Sequence, residues 1–224
     1  MKHLVVLTGA GISAESGIKT FRDANGLWEG HDVMEVATPQ GFAANPELVL
    51  EFYNQRRKQL FQVKPNSAHM DLAALEVDFK VTIITQNVDD LHERAGSTNV
   101  IHLHGELLKV RSTYDAHDIK TWKTDLVLGD RCEKGHQLRP HIVWFGEDVP
   151  MIEKAVAICK TADILIIIGT SMQVYPAASL MHDVPEHTPT YFIDPKPSVD
   201  SSKNLTVIPE SATVGVKKVM QLIR

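Results

Sequence analysis

His3-Leu4-Val5-Val6-Leu7-Thr8-Gly9-Ala10-Gly11-Ile12-Ser13-Ala14 joins an apolar run to a G-x-G-x-x-A turn. Apolar residues without polar alternation read as a strand buried on both faces, the mark of a parallel sheet. A strand flowing into close-set glycines lets backbone N–H groups reach a pyrophosphate, with the next helix N-terminus facing it. The same pattern also serves as a plain turn, and alone it leaves both readings open. Comparable runs recur outward at Val81–Thr85, Asp163–Ile168 and Thr190–Ile193, with a weaker one at Leu205–Ile208. Helices are predicted between them. Asn45-Pro46-Glu47 opens one that runs to about Phe61, with Pro at the first helical position. Asn66–Glu76, Met151–Lys160 and Ser211–Ile223 supply others. The alternation predicts an α/β fold with a doubly wound parallel, Rossmann-like sheet. Residues 22–80 and 105–145, approximately, break the βαβ spacing and are expected to form a small inserted lobe of a single domain over 1–224.

Composition narrows the function classes. Of 224 residues, 43% are hydrophobic and 23% charged, which excludes disordered, collagen-like and coiled-coil chains. The 23 Lys+Arg against 28 Asp+Glu leave a net charge of −5, so no nucleic-acid partner is expected. The aliphatic run Ile164–Ile168 is too short for a membrane span, and the first apolar run too short for a signal-peptide core. Two cysteines, Cys132 and Cys159, make neither a disulfide framework nor a four-thiolate zinc site. Reduced thiols predict a reducing compartment and a cytoplasmic location.

Polar residues gather where predicted strands end. Gly169-Thr170-Ser171 follows the most apolar strand, at the carboxyl edge where open α/β sheets bind ligands, and Ser171 also suits the N-cap of a following helix. Thr85-Gln86-Asn87-Val88-Asp89-Asp90 either grips a polar ligand or forms a solvated, helix-capping loop. Asp194 ends the strand Tyr191-Phe192-Ile193, where it either accepts ribose hydroxyls or turns the chain before Pro195. His102 and His104 share one face if their segment is extended. One of them suits a general base near neutral pH; as metal ligands they lack companions.

Taken in series, these motifs resemble the sirtuins, NAD-dependent protein-lysine deacylases. The resemblance rests on Gly9-Ala10-Gly11-Ile12-Ser13-Ala14-Glu15-Ser16-Gly17-Ile18, Phe21-Arg22, Thr85-Gln86-Asn87-Val88-Asp89, His104-Gly105-Glu106, Val143-Trp144-Phe145-Gly146-Glu147 and Gly169-Thr170-Ser171. It implies an NAD cofactor and acylated lysine side chains of proteins as substrates. Gly9, Ala10, Gly11, Ile12, Ser13, Phe21, Arg22 and Trp28 would hold the phosphates and cover the reacting ribose. Gln86, Asn87, Val88 and Asp89 would grip nicotinamide and ribose hydroxyls, and Gly169, Thr170, Ser171, Asp194 and Ala212 the adenosine half. Val143, Phe145, Gly146 and Glu147 would form an extended edge that pairs with the substrate peptide. His104 would be the catalytic base, assisted by Asn87 and Asp89. The same glycosidic cleavage also serves mono-ADP-ribosyl transfer, and a non-catalytic NAD- or acyl-lysine-binding module is a third reading.

The chain departs from that family's pattern in two places. Asp194-Pro195-Lys196 replaces its usual segment after the fourth strand. Of the two Cys-x-x-Cys pairs most members carry, Cys132 remains, with Gly135 at its partner's place and Ser112 near the first pair. No structural zinc is therefore expected; the lobe would be held by packing of Trp122, Leu126, Val127 and Leu128. Tyr53 and Arg56 stand three apart on one helix face, and Tyr-x-x-Arg resembles the branch that removes negatively charged acyl groups. Ala37-Thr38-Pro39 resembles that branch's pocket wall. Succinyl- and malonyl-lysine are the expected substrates beside acetyl-lysine.

Overall fold

The computed structural model describes residues 1–19, 27–28 and 30–224. The chain enters through β1 (His3–Thr8) and one helical turn, α1 (Gly11–Ala14). It then builds lobe elements: β2 (Leu27–Trp28) paired with β3 (His31–Asp32), followed by α2 (Val33–Val36), α3 (Pro39–Ala44) and α4 (Pro46–Gln62). The Asn45 side chain caps α4 by accepting from Leu48 N–H at 3.1 Å, as the Asn-Pro pair predicts. α5 (Ser67–Ala74) returns the chain to β4 (Lys80–Thr85), and α6 (Leu91–Arg94) leads to β5 (Val100–His102). A second excursion forms β6 (Gly105–Ser112), β7 (Ile119–Thr121) and β8 (Leu138–Ile142), an antiparallel sheet ordered β7-β6-β8. α7 (Ile152–Cys159), β9 (Ile164–Ile168), β10 (Thr190–Ile193), β11 (Leu205–Ile208) and α8 (Ala212–Ile223) complete the fold.

The main sheet is parallel with order β11-β10-β9-β1-β4-β5. Numbered among themselves these strands run 3-2-1-4-5-6, the dinucleotide-fold order, and the order reverses between β1 and β9. All residues of β1 and β9 are buried. Alternate residues feed opposite faces: Leu4, Val6 and Ile166 meet α5 and α8 through Leu72 and Val216, while Val5, Leu7 and Leu165 meet α7 through Ala155 and Cys159. Each such side chain, fully buried, contributes roughly 1.5–3 kcal/mol.

Several expectations change. α5 packs on the sheet face rather than in the lobe, because Ala68 and Leu72 cover Leu4 and Ile83. Ser171 caps no helix: the backbone stays irregular until a 3-10 turn at Ala177–His182. In the lobe Leu126 is buried with Leu50, Val110, Cys132 and Leu138, but Val127 and Leu128 face solvent, since three consecutive residues of a loop cannot all point inward. Among the described residues, no helix is long and apolar enough to cross a membrane.

Candidate active site

β1 and β9 end side by side, and the turns after them interlock. Gly9 N–H donates to the Ile168 carbonyl at 3.0 Å and Gly11 N–H to the Gly169 carbonyl at 2.8 Å. A Cβ on Gly11 would stand 2.5 Å from the Gly169 Cα, so side chains are excluded where the two turns meet. Ile12 and Ser13 N–H return to the Gly9 and Ala10 carbonyls, both at 3.1 Å. These bonds and the one-turn helix α1 fix the shape of the turn. The glycines build the wall of the crevice, and side chains supply its free polar groups.

Those side chains come mainly from the loop after β4. Thr85 Oγ1 accepts from Asn87 N–H at 3.0 Å and fixes the turn. Asn87 Nδ2 donates to the Gly9 carbonyl and to Ser13 Oγ, both at 3.2 Å. Ser13 Oγ in turn donates to Asp89 Oδ2 at 3.0 Å, and Leu91 N–H to Asp89 Oδ1 at 3.2 Å. Burial of the Asp89 carboxyl raises its pKa to about 6 despite these donors. Gln86 Nε2 donates to Thr170 Oγ1 at 3.1 Å and ties this loop to the one after β9. The Val88 carbonyl accepts from Leu107 N–H at 2.8 Å, while the Val88 side chain packs against the lobe core.

β5 adds the histidines. His104 Nδ1 lies 3.1 Å from the Gln86 carbonyl, so that nitrogen carries the proton and the Nε2 lone pair stays available. Burial holds His104 below its ordinary pKa of 6.5, which leaves a neutral imidazole at pH 7. His102 Nδ1 lies 2.9 Å from the Asn87 carbonyl, and its Nε2 lies 2.8 Å from Glu93 Oε1. Val143 N–H donates to the His104 carbonyl at 2.9 Å and brings the lobe beside the histidine.

The lobe side is aromatic. Trp28, assigned to the cofactor from sequence, packs its ring against Phe52 at 5.0 Å and Tyr53 at 6.3 Å. The Tyr53 hydroxyl accepts from Trp144 Nε1 at 2.9 Å, and burial pushes its pKa up. Arg56 holds its guanidinium 5.1 Å from the Phe52 ring centroid. Ala37 and Thr38 are buried, and the Ala37 carbonyl accepts from Phe145 N–H at 2.9 Å.

Residues 143–147 are not the expected extended edge. Glu147 N–H closes a turn onto the Trp144 carbonyl at 3.0 Å, with Phe145 half-exposed and Gly146 at φ 87°. The Glu147 carboxylate points inward, accepting from Arg139 Nη1 at 2.6 Å, Arg111 Nη2 at 3.1 Å and Trp144 N–H at 2.8 Å. Sequence reasoning missed these two arginines. Their trace was a guanidinium beside apolar residues in each segment, Val110-Arg111 and Leu138-Arg139, which demands a partner once buried.

At the far end of the crevice, Asp194 is buried and accepts from Lys196 N–H at 2.8 Å. Ala212 is buried at the start of α8, whose first turn is tied to the motif residue Glu15 through Thr213 N–H at 3.0 Å. The Ser171 carbonyl accepts from Ser198 Oγ at 3.5 Å. Phe21 and Arg22 lie outside the described residues. Among the described residues, no three His, Cys, Asp or Glu side chains gather as a metal site. Ser112 hydrogen-bonds the Cys132 thiol and lowers its pKa.

A buried amide–hydroxyl–carboxylate cluster beside a neutral histidine, at the reversal point of a dinucleotide-type sheet, prompts comparison with known proteins. Residues 9–176 match the model of the Sir2 family. The chain belongs to that family. An NAD-dependent protein deacylase of Helicobacter pylori is 59% identical to this sirtuin over 221 residues, which covers 98% of this chain and 96% of the relative. One from Bacteroides thetaiotaomicron is 56% identical over 230 residues, covering 100% and 98%. Among solved structures, a Sir2 homologue–NAD complex superposes with TM-score 0.87 at 40% identity, covering all of this sirtuin and 90% of that chain. A Sir2–p53 peptide–NAD complex gives 0.79 at 30% identity, covering 98% and 92%. The donor set of this sirtuin suits NAD. Asn87 and Gln86 offer amides that match a carboxamide, and Asp89 and Asp194 offer buried carboxylates that match ribose hydroxyls.

Proposed function

We propose that this sirtuin is an NAD-dependent protein-lysine deacylase that removes acetyl groups and also succinyl and malonyl groups, with release of nicotinamide and O-acyl-ADP-ribose. The observation that carries the reading is His104: its Nδ1 is anchored at 3.1 Å on the carbonyl of Gln86, the residue next to Asn87 of the Asn87–Ser13–Asp89 cluster, and its Nε2 bonds no described residue. NAD, when bound, supplies a glycosidic bond whose cleavage leaves a ribosyl carbon able to take up the acyl oxygen. Asn87, Gln86 and Asp89 would hold the nicotinamide end, and Thr170, Ser171 and Asp194 the adenosine end. His104 Nε2 then removes a proton from a ribose hydroxyl, which a neutral imidazole does without prior deprotonation. The bond from Val143 N–H to the His104 carbonyl supports a role for the turn at 143–147 in receiving the substrate peptide. A peptide complex of a structural neighbour supports the same assignment.

The acyl preference rests on Tyr53 and Arg56. The phenol oxygen accepts from Trp144, so its own O–H proton remains for donation, and Arg56 adds a fixed cation on the same helix. A carboxylate-tipped acyl chain matches that pair. The test is incubation of the protein with NAD and acyl-lysine peptides, followed by mass spectrometry. Free lysine peptide and acyl-ADP-ribose are expected; a peptide bearing ADP-ribose, or no NAD consumption, overturns the proposal.

A further inference from the structure

β5 and the two residues that follow it present two imidazoles in opposite circumstances. Each holds one carbonyl of the loop after β4: His104 takes Gln86 at 3.1 Å and His102 takes Asn87 at 2.9 Å. Their second nitrogens differ. His104 Nε2 bonds no described residue, whereas His102 Nε2 faces Glu93 Oε1 at 2.8 Å. A carbonyl and a carboxylate are both acceptors, so a neutral His102 would set a ring lone pair against one of them. With 8% of its side chain exposed, water cannot substitute for the missing donor. Both contacts are satisfied together only by the imidazolium.

We propose that His102 is a positioning residue: held as an imidazolium by Glu93, it fixes the Asn87 carbonyl and so orients the Asn87 amide and the Asp89 carboxylate toward the cofactor. The proposal rests on the reading above that Asn87 and Asp89 grip NAD. Burial opposes the charge, and the groups around the ring together outweigh it. Glu93 from α6 and Glu106 from β6 favour it, and Asp89 is itself stabilised as an anion by it. His92, a buried residue of α6, is held neutral by burial and then by the His69 and His102 charges, and Lys109 pairs with Glu106 at 2.6 Å. His102 is held above its ordinary pKa by Glu93 and His104 below its own by burial, so two residues of one type, two positions apart, are shifted in opposite directions. His102 loses its proton as pH rises through its elevated pKa; the ring then keeps only one of its two bonds, the loop is held less firmly, and NAD affinity falls on the alkaline side.

The experiment is a histidine-ring 1H–15N titration of the full chain, paired with calorimetric NAD binding. His102 is expected to be doubly protonated at pH 7 and His104 singly protonated on Nδ1. Glu93→Gln keeps Asn87, Asp89 and His104 in place and should lower the His102 pKa by about one unit. NAD binding of that variant should weaken about tenfold at pH 8 and less than about twofold at pH 6. His102→Gln, which cannot donate in two opposed directions, should weaken binding about tenfold at both pH values. A singly protonated His102 at pH 7, or a Glu93→Gln variant with wild-type affinity at pH 8, overturns the proposal. A wild-type chain that binds no NAD at any pH would instead overturn the cofactor reading, and the ring titration still reports separately on the Glu93–His102 pair.

Discussion

Gly169 sits at φ 61° with its Cα against Gly11, and a Cβ on Gly169 would stand 2.5 Å from the Ile12 nitrogen. The two turns that bound the crevice therefore meet backbone to backbone, and their separation sets its width.

Gly169→Ala should accordingly be strongly destabilising. Overpacking against backbone and a left-handed backbone conformation each cost about 1–3 kcal/mol. A fall in Tm of about 6 °C or more is expected by circular dichroism. A variant that melts with wild type would mean that the two turns separate freely.

His104→Ala should reduce deacylation by at least about a hundredfold while NAD affinity stays within about threefold, because the base acts on cofactor already bound. In the wild type, kcat/KM should fall below about pH 6, where Asp89, whose pKa is about 6, gains a proton. Initial rates across pH 5–9 test both statements. A profile flat down to pH 5 removes Asp89 from the mechanism.

Acid should weaken the fold through His69. This residue is fully buried, and its Nδ1 accepts the Asn66 N–H that caps α5 at 3.3 Å. Burial lowers its pKa from 6.5 to about 4. Its contribution is therefore intact above pH 6.5 and is lost as pH falls toward 4, where the unfolded chain binds a proton that the native state refuses. Asp89 works in the opposite sense, favouring the fold as pH drops from about 6 toward 3.8. Comparison with His69→Gln isolates the histidine. The stability advantage of wild type over this variant should narrow by roughly 2 kcal/mol between pH 7.5 and pH 5 in urea unfolding. An advantage constant with pH would show that His69 titrates normally.

Arg56→Met should cut desuccinylation by at least about tenfold and leave deacetylation within about twofold, since a charge-assisted contact to the acyl carboxylate contributes about 1.5–3 kcal/mol. Competition assays with succinyl- and acetyl-lysine peptides measure the ratio. Equal loss of both activities would make Arg56 a folding residue of α4 and no more.

The unalternated runs at His3–Leu7 and Thr190–Ile193 marked their strands because a strand covered on both faces admits no polar alternation. Asn45-Pro46 marked the start of α4 because capping is a local bond between near neighbours. The motif series marked the family, since backbone turns and side-chain donors recur at fixed spacing. The short strand β5 escaped notice because three residues ending in His102 have no apolar pattern of their own, and they become a strand only by pairing with Ile83, Ile84 and Thr85.

What the sequence determined by itself was the direction of side chains along each element: His102 and His104 on one face, Asn87 and Asp89 in one loop. Tertiary structure alone decided their chemistry. Gly11 gives its amide to Gly169, far along the chain, and that bond sets the two turns against each other. His102 gains a proton because Glu93 from α6 meets its second nitrogen, and His104 stays neutral because burial leaves its second nitrogen unpartnered by any described residue. A hydrogen bond needs its donor and acceptor within about 3 Å. Spacing along a single element cannot supply a partner that belongs to another.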